Sequence, residues 1–262
     1  MQCLENYRSK QVREANRKLR VILESPDEPA VHDFRVCIKR LTAFYGFLGQ
    51  VDDNLSVKKL LKPYRGMFKS LGRIRDAHIA IGLIENLEPS RDAESRKAIG
   101  LLRSGIRRDY RSFRNLVADS GTGSIRLPTL RATGIAPVAI SRHKPVYLET
   151  LLSQILSAPS RTTVDGWHRK RILLKRYRHI LEAFSLCPGQ HANLRLLKHI
   201  TLLEQLLGDW HDRVVTAERL QSLPPSAADP ALLIRRLKAQ HRLLLGTAKI
   251  YLPGLADRGP GG

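Results

Sequence analysis

Three blocks of this chain recur at one fixed offset, and that register limits what it can fold into. His32-Asp-Phe-Arg35-Val-Cys-Ile-Lys39-Arg40 returns as His168-Arg-Lys-Arg171-Ile-Leu-Leu-Lys175-Arg176. Both copies read His-x-x-Arg-x-x-x-Lys-Arg, 136 residues apart. Leu71-Gly72 with Asp76 returns as Leu207-Gly208 with Asp212, and Leu60-Leu61-Lys62 as Leu196-Leu197-Lys198, at the same offset of 136. Blocks held in one register point to an internal duplication.

At about 100° per residue, offsets of 0, +3 and +7 fall within roughly 60° on a helix. His32, Arg35 and Lys39 therefore share one edge, as do His168, Arg171 and Lys175. Phe34, Val36, Ile38 and Leu41 fill the rest of the first copy, and Ile172, Leu173 and Leu174 the rest of the second. A helix that is apolar nearly all round is enclosed by other elements. A cationic row on such a helix needs an internal anion, and none stands nearby in sequence.

The chain of 262 residues sets 45 Lys and Arg against 24 Asp and Glu, a formal charge of +21. Such an excess repels itself and implies a polyanionic partner: nucleic acid, an anionic membrane surface or a phosphate polymer. Cys3, Cys37 and Cys187 are odd in number and far apart. They read as small buried hydrophobes of a reducing compartment, with no metal or redox spacing. No stretch approaches about 18 consecutive apolar residues, so no membrane span is expected. The start lacks the basic and apolar regions of a signal peptide. Together these predict a cytoplasmic protein.

Periodicity predicts helices over residues 3–24, 31–50, 55–71, 76–87 and 91–118, with Pro63 as a kink or restart and Gly72 as a break. Residues 121–145, rich in Gly and Pro, read as a linker. Helices follow over 146–156, 165–186, 192–207 with a break at Gly208 and a continuation to 220, and 230–251; residues 253–262 read as a disordered tail. Loops are expected at Glu88-Pro89-Ser90, at Pro159 and at Pro224-Pro225. The prediction is an all-α protein of two similar bundles, residues 1–120 and 146–252.

Basic rows recur at helical spacing. Lys62, Arg65, Lys69 and Arg73 form one, Arg96, Arg103, Arg107 and Arg114 another, and Arg235, Lys238, Arg242 and Lys249 a third. If such rows converge, they suit a flexible anion with closely spaced charges. Arginine offers bidentate contacts to phosphate oxygens and lysine a point charge.

These residues resemble the CHAD (conserved histidine α-helical domain) family. Its pattern looks like His-x-x-Arg-x-x-x-(Lys/Arg)-(Lys/Arg)-Leu-Arg in each half, followed by Leu-Gly-x-x-x-Asp, and the resemblance covers roughly residues 3–252. It implies two four-helix bundles about a pseudo-twofold with a basic central groove or pore. It also implies binding of inorganic polyphosphate, in some members with attachment to polyphosphate granules, and binding rather than catalysis. Carried onto this chain, the binding residues are His32, Arg35, Lys39 and Arg40 in the first half, and His168, Arg171, Lys175, Arg176 and Arg178 in the second. Lys62, Arg65, Lys69, Arg73, Arg103, Arg107 and Lys198 are expected to extend that surface. The chain departs from the pattern at Thr42, where the family usually has a basic residue, and at His78, where an acidic one is often seen. Thr201, Gln205 and Asp209 stand where the first half has Arg65, Lys69 and Arg73, so an asymmetric site is expected.

Two other readings stand beside this one. A metal site on His32 and His168, with His78, His199 or His211, is opposed by the Arg and Lys one turn away. A nucleic-acid binder fits the charge, with weak DNA binding expected, but aromatic residues fall at core spacing rather than as exposed stacking rings. No Walker loop, nucleophile elbow, His-Glu-x-x-His or paired-carboxylate site appears. No enzyme activity and no cofactor are therefore expected. Arg75-Asp76 and Asp212 read as structural ion pairs at helix starts.

Overall fold

The structure is a computed structural model, and it describes residues 1–87, 92–121, 123–157, 163–189, 194–224 and 230–258. Among these residues the chain is all-α. The helices are α1 (Gln2–Glu24), α2 (Glu28–Val51), α3 (Val57–Leu87), α4 (Ala93–Ser120), the short α5 (Leu130–Thr133), α6 (Pro137–Leu156), α7 (Val164–Ser185), α8 (Leu194–Gln221) and α9 (Ala231–Tyr251), ending in a 3₁₀ segment, Leu252–Arg258. The expected loops at Glu88-Pro89-Ser90, at Pro159 and at Pro225, the predicted helix start at 192, and residues 259–262 of the tail lie outside the described residues.

Helix ends follow local chemistry. Asp27 caps α2 by accepting from the Ala30 amide at 2.8 Å, ahead of Pro29 in the first turn. Asp92 caps α4 through Ser95 N at 2.7 Å, and Gly121 closes that helix with φ 60°, a backbone state glycine reaches without strain. Neither Gly72 nor Gly208 breaks its helix: α3 and α8 run through them. Pro63 and Pro145 also lie inside continuous helices. Both prolines are exposed, as are Lys59 and Ser141 four residues earlier, so the carbonyls that lose an amide partner can meet water.

Helix α2 is the axis of the fold. Its buried residues, among them Val31, Phe34, Leu41, Phe44, Phe47 and Leu48, face nearly every direction, and α1, α3, α6 and α7 all pack on it. Helices α3 and α8 also pack on each other, as do α8 and α9. Both apolar clusters draw on both halves. Phe47 stacks edge-on with Tyr147 at 5.2 Å and with Phe184 at 5.6 Å. The second cluster joins Ile84, Ile99 and Leu102 to Leu220, Leu233 and Leu237.

Three expectations change here. The linker 121–145 already contains α5 and the first nine residues of α6, and its extended part is pinned to the first half. Asn16 exchanges two hydrogen bonds with Ile125, at 3.1 and 2.6 Å; Tyr64 does so with Arg126; Arg8 donates to Leu127 O at 3.1 Å; and the Tyr45 hydroxyl donates to Pro128 O. The tail forms the 3₁₀ segment because Leu252 and Leu255 have apolar places to fill, Leu255 being only 1% exposed. Cys3 and Cys187 are bonded to each other across 184 residues rather than buried as free thiols, because α1 packs on α7. Cys37 is a free, buried thiol, pushed up to about 11 by burial.

Phe47 is fully enclosed and bridges α2 to α6 and α7. Phe47→Ala should lower stability by about 3–5 kcal/mol in urea denaturation, the range for an aromatic deleted from a core.

Candidate functional site

The polar edges of the two motif helices meet where α2 packs on α7. Lys39 is the centre of the electrostatics. Burial, then the cations of Arg35, Lys175 and Arg171, push its ammonium down to about 7, while Asp212 pulls the other way. Arg171 is half-buried, and burial lowers it against the opposing pull of Asp212, Glu204 and Asp76. Four motif cations, Arg35, Lys39, Arg171 and Lys175, are thus held together in a partly desolvated place where their mutual repulsion is felt.

Two carboxyls face this cluster. Burial raises Asp76, against the pull of Arg35, Arg219, Lys39 and Arg171. Burial raises Asp212, against the pull of Arg171 and Arg75. Both lie in the middle of long helices, not at helix starts, because α3 and α8 pass through their glycines. Arg75 does form an ion pair, with Glu28 at the start of α2, at 2.5 Å.

Arg35 shows why a glycine stands at 72. Its Nη1 donates to Phe68 O at 2.6 Å, and its guanidinium lies 4.2 Å from the Phe68 ring centre. A Cβ on Gly72 would sit 3.0 Å from that Nη1. At Gly208 a Cβ would meet nothing within 4 Å, and the buried Arg171 Nε has no hydrogen-bond partner among the described residues. The two copies therefore hold their arginines differently.

The histidines differ as well. His32 is exposed beside Asp33, its Nδ1 3.2 Å from that carboxylate. His168 is half-buried, its Nδ1 has no hydrogen-bond partner among the described residues, and its ring lies 4.5 Å from that of His211. Burial lowers both rings. Arg171 adds to the lowering of each, and His211 falls to about 3. Burial first, and then the same repulsion, favour the neutral form of both imidazoles.

The remaining predicted residues scatter. Arg178 bonds Glu182 at 2.5 Å and Glu204 at 3.0 Å, and Lys175 stands 3.7 Å from Glu204, so the second half is partly neutralised from within. Arg40 turns to Glu182 at 3.7 Å. Arg176 lines a cleft of about 300 Å³ with Gln50, His143 and Tyr147, away from the cluster. Both follow from a helix wheel: a residue eight positions after the motif histidine lies about 80° off its edge. Lys62, Arg65 and Lys69 are exposed along α3, and Asp76 shares their azimuth, so this row runs into the cluster. Arg73 is held by Asp109 of α4 at 3.0 Å, and Arg103 stands 3.7 Å from Glu85. Arg107 and Lys198 are exposed, and Arg107 donates to Ser104 Oγ at 2.8 Å.

Glu204 and Arg219 act on the cluster and were not singled out from the sequence, while His211 was weighed there only as a metal ligand. His211 stands 136 residues after Arg75, so the repeat could have drawn attention to that position. Glu204 and Arg219 carry no such signal. Among the described residues no group of His, Cys, Asp and Glu is arranged to hold a metal ion.

Residues 7–221 match the CHAD domain, and the chain belongs to that family. The crystal structure of the CHAD domain from the plant Ricinus communis superposes with a TM-score of 0.73 at 17% identity, over 98% of this chain and 90% of that one. PptA from Streptomyces chartreusis superposes with a TM-score of 0.60 at 16% identity, over 98% of both chains. At these identities the likeness is one of fold. No curated protein sequence matches the chain.

The unequal arginine cradles can be separated by mutation. Gly208→Ala should raise stability by up to about 1 kcal/mol, the helix-propensity gain. Gly72→Ala should lose that gain, because the methyl displaces Arg35 from Phe68 O. Parallel urea denaturation of the two variants measures the difference.

Proposed function

We propose that this protein binds inorganic polyphosphate along the α2–α7 contact and does not turn it over. The observation that carries the reading is the convergence of Arg35, Lys39, Arg171 and Lys175 from two helices onto one partly desolvated place. Their charges are only partly met by Asp76, Asp212 and Glu204. A linear anion with one charge on each unit meets such a cluster repeatedly, through bidentate arginine contacts and lysine point charges. The exposed Lys62, Arg65 and Lys69 supply a track leading to it. The recurrence at 136 residues supports an internal duplication, with one motif helix from each copy forming the site. Membership of the CHAD family supports polyphosphate as the ligand and polyphosphate granules as a place of action.

Nucleic acid is the weaker reading. Phe34, Phe44, Tyr45, Phe47 and Phe113 are buried, so these rings are not available to stack on bases. The net charge of +21 still predicts weak, salt-sensitive adsorption to DNA.

Competitive titration of long-chain polyphosphate against duplex and single-stranded DNA, at near-physiological salt, tests this. Polyphosphate should bind and resist displacement by DNA. The Arg35→Ala/Arg171→Ala double variant should lose about 100-fold or more in affinity, the loss expected for two charge-assisted contacts. Arg13→Ala, on the outer face of α1, should change it little. Equal competition by DNA, or an unaffected double variant, would reduce the site to a general cationic surface.

Lys39 makes the binding pH-dependent. The free site holds the Lys39 proton only to about 7, and a bound anion favours the charged form. Affinity should therefore fall as pH rises through and above 7, by up to about tenfold per unit for one linked proton. Folding stability should move the other way over the same range, because the unfolded lysine keeps its proton to higher pH than the folded one. Lys39→Arg, which stays charged, should flatten the affinity profile measured between mildly acidic and mildly alkaline buffer.

A further inference from the structure

The last helix carries a basic row that the polyphosphate reading leaves unused. Helix α9 contains no acidic residue at all. Its inner face is Leu233, Leu237 and Ala248, packed on α8. Arg236, itself exposed, reaches across to donate to Leu87 O of α3 at 3.3 Å. The outer face is divided lengthwise. Leu232, Ala239, Leu243, Gly246 and Ile250 fall within about 60° of one another, and Arg235, Lys238, Arg242 and Lys249 fill the adjacent 60° or so. All nine are exposed.

The apolar half of this face is unusual for a surface. Ile250 at 78% and Leu243 at 74% are the most exposed large hydrophobic side chains among the described residues, and they stand two turns apart on one line. Leu232 extends the line at 43%. Exposed leucines scattered singly need no explanation, but a continuous row beside a continuous cationic row does.

Each candidate occupant meets a different part of this face. A polyanion such as polyphosphate or nucleic acid satisfies the cations and leaves Leu243 and Ile250 in water. A second copy would cover the apolar row but set an acid-free cationic row against its own image, in a chain that already carries +21. An anionic lipid bilayer satisfies both halves. Headgroup phosphates meet Arg235, Lys238, Arg242 and Lys249, and the acyl boundary receives Leu243 and Ile250. Lysine and arginine stems reach up from such a helix to the headgroups. No described helix is long and apolar enough to cross a membrane, so the contact is one of lying on the surface. We propose that α9 is an interfacial helix that docks this protein on anionic bilayers through the paired apolar and cationic rows of its outer face.

The test is co-sedimentation of the full chain with phosphatidylcholine vesicles, with and without phosphatidylglycerol, at near-physiological salt. The protein should bind the phosphatidylglycerol vesicles and not the neutral ones. Leu243→Ser/Ile250→Ser keeps every charge and should cut the partition coefficient about tenfold or more, with an unchanged thermal melt. Arg235→Gln/Arg242→Gln should cut it by a similar factor. Three results would overturn the proposal: no binding to anionic vesicles; binding that the serine variant leaves intact, which is charge adsorption alone; or a dimer in sedimentation velocity that the serine variant dissolves, which assigns the row to a second copy. None of these results bears on the polyphosphate site, whose residues lie on other helices.

Discussion

The structure depends on like charges being held together at the contact of α2 with α7. Helix α2 is apolar nearly all round, so it must be enclosed, and its one polar edge has to face another element. The element it meets is a second helix with the same edge. Arg35, Lys39, Arg171 and Lys175 are consequently packed close, and burial and repulsion both act on Lys39. Leaving charges in such a place is costly unless something neutralises them. The fold supplies partial answers: the Phe68 carbonyl and ring for Arg35, and Asp76 and Asp212 from the middles of α3 and α8. What is left over is a cluster of cations that these groups neutralise only in part.

The two halves neutralise these charges unequally. The first half holds Arg35 in a cradle that a glycine keeps open, and it leaves the row of Lys62, Arg65 and Lys69 in solvent. The second half draws Glu182 and Glu204 onto Arg178 and Lys175, and sets His168 against His211 where the first half has His32 and Arg75. An asymmetric site was expected from Thr201, Gln205 and Asp209 alone. The internal carboxylates of the second half add to it.

The halves are tied by more than this contact. Both apolar clusters take side chains from each half, and the connecting segment is bonded to α1, α2 and α3 through Asn16, Tyr45 and Tyr64. The Cys3–Cys187 bond joins the first turn of α1 to the end of α7. Buried Leu252 and Leu255 bring the end of the chain back onto α6, α8 and α9. The helices that carry the charged cluster are thus tied together through several independent contacts.

The sequence by itself determined that the chain is helical, the order of its main helices and the edges that carry charge, because helical periodicity is a local property with a period of 3.6 residues. It did not show that α3 and α8 run through their glycines or that α5 and the start of α6 lie in the linker. It marked Gly72 and Asp76 through their recurrence at Gly208 and Asp212, though not the reason for them. Only the tertiary structure decided that Gly72 makes room for an arginine from another helix, that Asp76 and Asp212 face the cluster, and that Arg178 is neutralised by Glu182 and Glu204. It alone paired Cys3 with Cys187, turned Arg40 and Arg176 away, and fastened a Gly- and Pro-rich stretch to the first half. Each of these depends on which helix face meets which neighbour. That is set by how whole apolar surfaces pack together, and no spacing within a single helix records it.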